Sequence, residues 1–256
     1  GWIFEMGALD FAGGAAIHIN AGMAALAVIL VIGNRKGHGT EPMPPHNLPL
    51  TVLGTGILWF GWFGFNAGSA LAADGVAAQA LVNTQLGAAT GMLGWLLVER
   101  IRTGHATVLG ACSGAVAGLV AITPCAGFVG GVAPLIIGTI AGVACYFALF
   151  IKAKMNWDDS LDVIAVHLIG GIVGTLLLGF FADTAVNGEF DGLFFGGGLE
   201  LLKDQFVAAV GVGVFSFVVT YAIAFGIQRT IGLRVDSDAE LLGLDQSEHA
   251  ESAYSS

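Results

Sequence analysis

Apolar residues occur in seven long runs separated by short polar segments, a pattern that predicts a chain crossing a membrane several times. A helix needs about 20 apolar residues to span the hydrocarbon core of a bilayer, and most of these runs are long enough. The fourth run is shorter and ends at Thr123-Pro124. The predicted spans are residues 11–33, 50–72, 77–98, 106–122, 129–151, 161–182 and 206–227.

The composition excludes a water-soluble domain built around a buried core. Hydrophobic residues make up 55% of the 256 residues, charged residues make up 11%, and the mean hydropathy is +0.81. The 40 glycines suit closely packed transmembrane helices. We therefore predict an all-α polytopic membrane protein, with a membrane domain over residues 1–228 and a polar tail over residues 229–256.

The basic residues predict the orientation of the chain in the membrane. Eight of the nine follow the first, third, fifth or seventh span, and only Lys203 lies in an alternate loop. By the positive-inside rule, these loops and the tail are cytoplasmic, and Gly1 is outside. The net charge of −10 comes from acids in loops and in the tail, and it indicates no nucleic-acid partner. The eight residues are Arg35, Lys36, Arg100, Arg102, Lys152, Lys154, Arg229 and Arg234.

Two histidines within apolar runs are the first candidates for a functional site. Asp10 stands just before the first run, where a carboxylate can cap free N–H groups of a helix, and His18 lies inside that run. Asp162 and His167 repeat this arrangement in the sixth run. Each histidine alone is also compatible with a simple hydrogen bond between helices. The first and sixth spans run in opposite directions, as expected of an inverted repeat.

The second span carries an aromatic segment that ends in a hydroxyl, from Trp59 to Ser69. Such a segment is typical of the aromatic belt at a membrane interface. Its alternation with glycines, however, also suits a narrow passage bounded by ring faces, which attract cations. Trp62 and Phe65 would line this passage, and Ser69 would add a hydroxyl acceptor at its outer end.

Together these motifs resemble the ammonium transporter family (Amt/Mep/Rh), with a tail similar to that of the Amt branch. The resemblance covers the whole chain in order. The matching segments are Asp10–Gly14 with His18-Ile19-Asn20, Gly61–Ser69, Gly118–Pro124, Asp162-Val163 with His167, Gly170–Gly174, and Gly243-Leu244-Asp245 with His249, Glu251, Ala253 and Tyr254.

The resemblance implies a fold of eleven transmembrane helices in two inverted halves, of which this chain would hold helices five to eleven. The chain starts at Gly1 just before a helix, and we interpret it as a C-terminal fragment. The resemblance also implies a homotrimer in the plasma or inner membrane, with one pore in each subunit. A PII-type signal protein is a possible partner at the cytoplasmic face.

The resemblance assigns a role to each candidate residue. His18 and His167 would form the twin-histidine pair of the pore, Phe65 a gate phenylalanine and Trp62 a pore-lining tryptophan. Ser69 would belong to the outer site that recruits ammonium, and Asp10 and Asp162 would support the substrate site structurally. Trp2 lies too close to Asp10 to match the family's vestibule tryptophan.

The implied activity is transmembrane transport of ammonium. An apolar pore penalises any bare cation, but ammonium can escape the penalty by releasing its proton, and potassium cannot. Neutral imidazoles would then offer the resulting ammonia one donor and one acceptor each. Whether the released proton is relayed alongside ammonia stays open, because both schemes use the same residues.

Three other functions compete with transport by an Amt-type protein. A metal transporter or membrane enzyme would need more carboxylates or thiolates converging inside the spans. Loop histidines His38 and His46 are expected to be solvated, as is His105, and the three cysteines are expected to be small buried residues. We therefore predict no metal and no cofactor. An ammonium sensor and an Rh-type channel for ammonia or carbon dioxide remain alternatives.

Overall fold

The computed structural model describes residues 1–252, and this part of the chain is built from helices and turns without a β-strand. Ala253 and Tyr254 of the predicted tail motif, together with Ser256, lie outside the described residues. The helices are α1 (Trp2–Met6), α2 (Gly14–Ile32), α3 (Leu48–Gly68), α4 (Gly75–Thr103), α5 (Val108–Ile122), α6 (Ala133–Lys154), α7 (Ile164–Phe181), α8 (Thr184–Asn187), α9 (Glu200–Thr230), α10 (Ser237–Leu242) and α11 (Leu244–His249).

Each of the seven predicted spans coincides with a helix, so the all-α class is confirmed. Within the described residues, six helices of 18 to 31 residues are long and apolar enough to cross a membrane. The seventh, α5, has 15 residues and is largely buried among its neighbours. Helices α4 and α9 run beyond their predicted ends at residues 98 and 227, because the next glycine or proline after each end is Gly104 or Gly232.

Local sequence explains where the membrane helices begin. The side chains of Asn47, Asp74 and Thr107 accept hydrogen bonds from backbone N–H groups in the first turns of α3, α4 and α5. Pro49 lies in the first turn of α3, where its missing N–H costs nothing.

Glycines allow α4, α5 and α6 to pack with their backbones in direct contact. A Cβ atom added at Gly118 of α5 would collide with the carbonyl of Gly87 in α4. A Cβ atom at Gly142 of α6 would collide in the same way with Gly91. This three-helix layer is therefore fixed by small residues, as is usual between helices that pack in a membrane.

Helices α2 and α7 are antiparallel neighbours. The middle of α2 lies beside the start of α7, because a Cβ atom added at Gly22 would collide with Leu168. At the other end, the buried side chain of Gln205 in α9 bonds to Leu9 before α2 and to the carbonyl of Thr175 in α7. This arrangement agrees with the inverted relation expected of the two spans.

The start of the tail is attached to the loop that follows α2. Arg234 donates to the carbonyl oxygens of Ile32 and Asn34 and forms an ion pair with Glu240 at 2.8 Å. Glu240 also accepts from the backbone N–H of Lys36 over 2.7 Å. Helix α10 is therefore held against the same loop that contains Arg35 and His38.

Candidate functional site

His18 and His167 meet at the crossing of α2 and α7. Their Nδ1 atoms are 3.1 Å apart, and their ring centroids are separated by 5.3 Å. His18 is 4% exposed, and its Nε2 atom is buried without a hydrogen-bond partner in the described part of the protein. The two rings therefore share one hydrogen bond, and the Nε2 atom of His18 stays available to a further polar group.

Two aromatic rings extend the histidine pair along α3. The indole of Trp62 stacks on His18, with ring centroids 5.3 Å apart and ring planes inclined by 21°. Phe65 then packs edge-on against Trp62 at 6.0 Å. The structure thus brings His167, His18, Trp62 and Phe65 into one continuous row of rings, which the sequence had placed only on three separate spans.

Ser69 lies one turn beyond Phe65, close to the end of α3. Its hydroxyl donates to the carbonyl of Phe65 over 2.9 Å, which leaves oxygen lone pairs available as acceptors. Phe65 itself is 40% exposed. The two residues lie at the end of α3, next to the loop that leads to α4.

Asp10 holds the first turn of α2. Its carboxylate accepts from the backbone N–H groups of Gly14, Ala15 and Ala16, and the last two of these bonds measure 3.1 and 3.0 Å. The turn from Gly14 to Ile19, which carries His18, is a π-helix. Gly13 precedes it with φ of 110°, a conformation that a side chain would strain.

In the second half, the equivalent carboxylate belongs to Asp159. The sequence had suggested Asp162 instead. Asp159 accepts from the N–H groups of Val163 and Ile164 at 3.0 and 2.7 Å, at the start of a π-helical turn that carries His167. Asp162 instead forms an ion pair with Lys152. The correct signal was spacing, because Asp10 and Asp159 each precede a histidine by eight residues.

A cavity of about 710 Å³ leads from His167 towards the loops that carry the basic residues. Polar side chains of the loops line it, including His38, Asp158 and Asp162. Cys112 and Ser113 of α5 also contribute to its wall. The histidine pair is therefore connected to one face of the protein by a vestibule that both polar and apolar side chains line.

His38 is not simply solvated, as its loop position had suggested. Its Nδ1 atom lies 3.3 Å from Oδ1 of Asp158. The same carboxylate makes a bidentate ion pair with Arg35. The hydrogen bond from Arg35 lowers the pKa of Asp158 from 3.8 to about 2. This cluster fastens the loop after α2 to the segment just before α7.

Thr123 is a further residue of the site that sequence reasoning did not single out. It is fully buried at the end of α5, and its hydroxyl oxygen accepts a 2.9 Å hydrogen bond from the indole Nε1 of Trp62. The threonine lay within a matching segment, but nothing in the pattern indicated a contact with the second span.

Comparison with known proteins identifies the group to which this chain is related. A sequence profile described as the Ammonium Transporter Family matches residues 1–254. The chain belongs to the ammonium transporter family. An ammonium transporter of Mycobacterium tuberculosis is 51% identical over 99% of this chain and 55% of its own length. The chain thus spans about half the length of the curated relatives it matches.

Solved structures of the ammonium transporter family share the fold. Mep2 of Candida albicans superposes with a TM-score of 0.88 at 40% identity, over 97% of this chain and 57% of that one. A protein described as a sensor Amt protein also superposes with a TM-score of 0.88, at 31% identity over 97% of this chain and 62% of its own. The chain is therefore part of a multi-pass membrane protein of this family, whose members are transporters and not enzymes.

Proposed function

We propose that the protein transports ammonium across a membrane and that ammonia passes the pair formed by His18 and His167. The observation that carries the proposal is the 3.1 Å contact between the two Nδ1 atoms, next to the unpartnered Nε2 atom of His18. In a chain related to ammonium transporters, this arrangement supplies polar atoms in an otherwise apolar interior.

The shared hydrogen bond fixes what the pair offers to a substrate. When both rings are neutral, one Nδ1 donates and the other accepts. The donating ring therefore has a bare Nε2 that accepts, and the accepting ring has an Nε2–H that donates. Ammonia can bind both kinds of atom, whereas potassium can bind only the acceptor and keeps its charge. An apolar surrounding then penalises potassium by many kcal/mol.

The residues of α3 would prepare ammonium for this passage. Ser69 and the partly exposed ring of Phe65 would gather the cation at the outer vestibule, since aromatic faces and hydroxyl oxygens both attract ammonium. Release of the proton there would let ammonia pass Phe65 and enter the row of rings. Asp10 would support this entrance by fixing the turn that carries His18.

The orientation and assembly of the protein are part of the same proposal. The chain would comprise a membrane domain, residues 1–228, and a cytoplasmic tail, residues 229–256, in agreement with the end of α9 at Thr230. The protein would form a homotrimer in the plasma or inner membrane, and a PII-type protein would bind its cytoplasmic face. The vestibule next to His167 would then open to the cytoplasm.

The test is ammonium flux through the full-length protein in proteoliposomes, with potassium as competitor and trimer assembly checked by size-exclusion chromatography. We expect His167→Asn to lower the flux by at least about tenfold, because the amide of Asn does not replace the second nitrogen of the imidazole ring. His18→Glu should keep some flux but admit more potassium, since a fixed anion stabilises any desolvated cation.

The matched control is His105→Asn, which makes the same chemical change at an exposed loop residue and should leave the flux unchanged. Wild-type flux and selectivity in both His167→Asn and His18→Glu would show that the two histidines only pack the helices together. Ammonium binding without any flux in the wild-type protein would instead favour a sensor, a function supported by the likeness to the sensor Amt protein.

A further inference from the structure

Thr123 connects three separate parts of the candidate site. Its hydroxyl donates to the carbonyl of Leu119 in its own helix over 2.7 Å and accepts from Trp62 Nε1 over 2.9 Å. Its carbonyl accepts from the backbone N–H of Ala12 over 3.2 Å. Thr123 therefore contacts both α3, which carries Trp62, and the segment that leads into the π-helical turn of His18.

The hydroxyl hydrogen of Thr123 has a fixed direction. Because the proton is used on Leu119, the oxygen can only accept from the indole of Trp62. Both side chains are buried, so water cannot replace the threonine as acceptor without a change in the surrounding packing. The position of the indole ring is then determined by a hydrogen bond at its edge and by His18 on its face.

We propose that Thr123 is a positioning residue that holds the Trp62 ring flat against His18. This inference rests on the proposed function, since it concerns the flux past the histidine pair. Without the hydroxyl, the buried indole N–H would lose its acceptor, and the ring would tilt to find another one. His18 would then lose the surface that keeps its Nδ1 atom directed at His167.

The test is a double-mutant cycle in the full-length protein, with ammonium flux in proteoliposomes as the readout. Thr123→Ser keeps the hydroxyl and should retain flux within about twofold of wild type. Thr123→Val keeps the shape but removes the acceptor, and we expect flux to fall by about tenfold. In a Trp62→Phe background, which has no indole N–H, the same Thr123→Val change should alter the flux by less than about twofold.

Thr84→Val provides a matched control. Thr84 is also fully buried, donates to the carbonyl of Ala80 and accepts from Asn66 Nδ2 of α3 over 2.9 Å. Thr84→Val removes the same kind of hydroxyl, which also accepts a hydrogen bond from α3, but the donor there is Asn66 and not the indole. Any loss of flux caused by Thr84→Val should therefore be equal in the wild-type background and in the Trp62→Phe background.

The outcomes separate the two proposals. No ammonium flux in the wild-type protein would overturn the proposed function itself. With wild-type flux present, an unchanged Thr123→Val variant, or an equal loss in both backgrounds, would overturn the positioning role. If Trp62→Phe carries too little flux to compare, a structure of Thr123→Val decides the matter. A Trp62 ring that keeps its native inclination of 21° to the His18 plane would refute the inference, and a clearly larger inclination would support it.

Discussion

Asp10 and Asp159 occupy equivalent places in the two halves of the structure. Each lies eight residues before a histidine, and each accepts hydrogen bonds from the first backbone N–H groups of the π-helical turn that carries that histidine. The carboxylates therefore determine where α2 and α7 begin, and hence the height at which His18 and His167 meet.

This equivalence predicts different effects for two neighbouring aspartates. Asp159→Asn replaces an acceptor of two backbone bonds by a weaker one, so the turn of His167 should shift and ammonium flux should fall by about tenfold. Asp162→Asn removes an ion pair with Lys152 near the protein surface and should change the flux by less than about twofold. Initial rates in proteoliposomes would compare the two, and a larger loss for Asp162→Asn would contradict the assignment.

The cluster of Arg35 and Asp158 predicts how stability depends on pH. The pKa of Asp158 is lowered from 3.8 to about 2, so the pair stabilises the protein above pH 3.8 and loses this contribution as the pH falls towards 2. Asp158→Asn should lower Tm by about 2–4 °C at neutral pH, corresponding to about 1 kcal/mol for a pair with a half-exposed arginine.

The measurement is thermal unfolding of detergent-solubilised protein between pH 7 and pH 2. The difference in Tm between wild type and Asp158→Asn should shrink as the pH falls through that interval. A constant difference would show that the charge of Asp158 does not stabilise the loop. Asp191→Asn serves as the control, because Asp191 accepts a backbone bond from Thr184 in a different loop and makes no ion pair in the described structure.

The attachment of the tail predicts a link between α10 and the vestibule next to His167. Glu240→Gln removes the charge that binds Arg234, so the tail should leave the loop after α2, and trypsin should cleave after Lys36 or Arg234 roughly twofold faster or more. In the full-length protein we expect weaker flux or a lost response to PII. Glu248→Gln, an exposed charge of α11, is the control. Equal cleavage and equal flux in both variants would leave the tail without a coupling role.

The distribution of basic residues predicts the orientation of the chain. With the three native cysteines replaced, Lys154→Cys should react with an impermeant maleimide only from the cytoplasmic side of the membrane. Lys203→Cys should react only from the opposite side. Labelling of Lys154→Cys in intact cells would reverse the proposed topology, and with it the assignment of the vestibule.

Much of this organisation was predictable from hydrophobic pattern and spacing, and the exceptions have physical causes. The spans were predicted because burial in lipid requires long apolar helices, whatever their partners. Asp162 was predicted to stand where Asp10 stands in the first span, but Asp159 accepts the backbone hydrogen bonds there. The segment from 158 to 162 contains three aspartates, and only the folded turn decides which of them reaches the free N–H groups.

The π-helical turns are a second feature that the sequence pattern did not predict. Each one accommodates an extra residue in a helical turn, so the direction of His18 does not follow from the regular period of 3.6 residues. The role of Thr123 was similarly hidden, because a hydroxyl at the end of one helix carries no sequence signal for an indole on another. Both features depend on contacts between spans and not on the pattern within a span.

The close contact between Gly22 and Leu168 has a consequence for the way a substrate can move. A Cβ atom at Gly22 would collide with the backbone of Leu168, and one at Gly171 would come within 2.9 Å of the carbonyl oxygen of Gly14 at the start of α2. Many transporters built from inverted repeats alternate access by rocking one repeat against the other. Here such rocking would move α2 and α7 apart at these glycines and break the hydrogen bond between His18 and His167. We therefore expect the two helices to behave as one rigid wall, past which the substrate diffuses while the protein stays still.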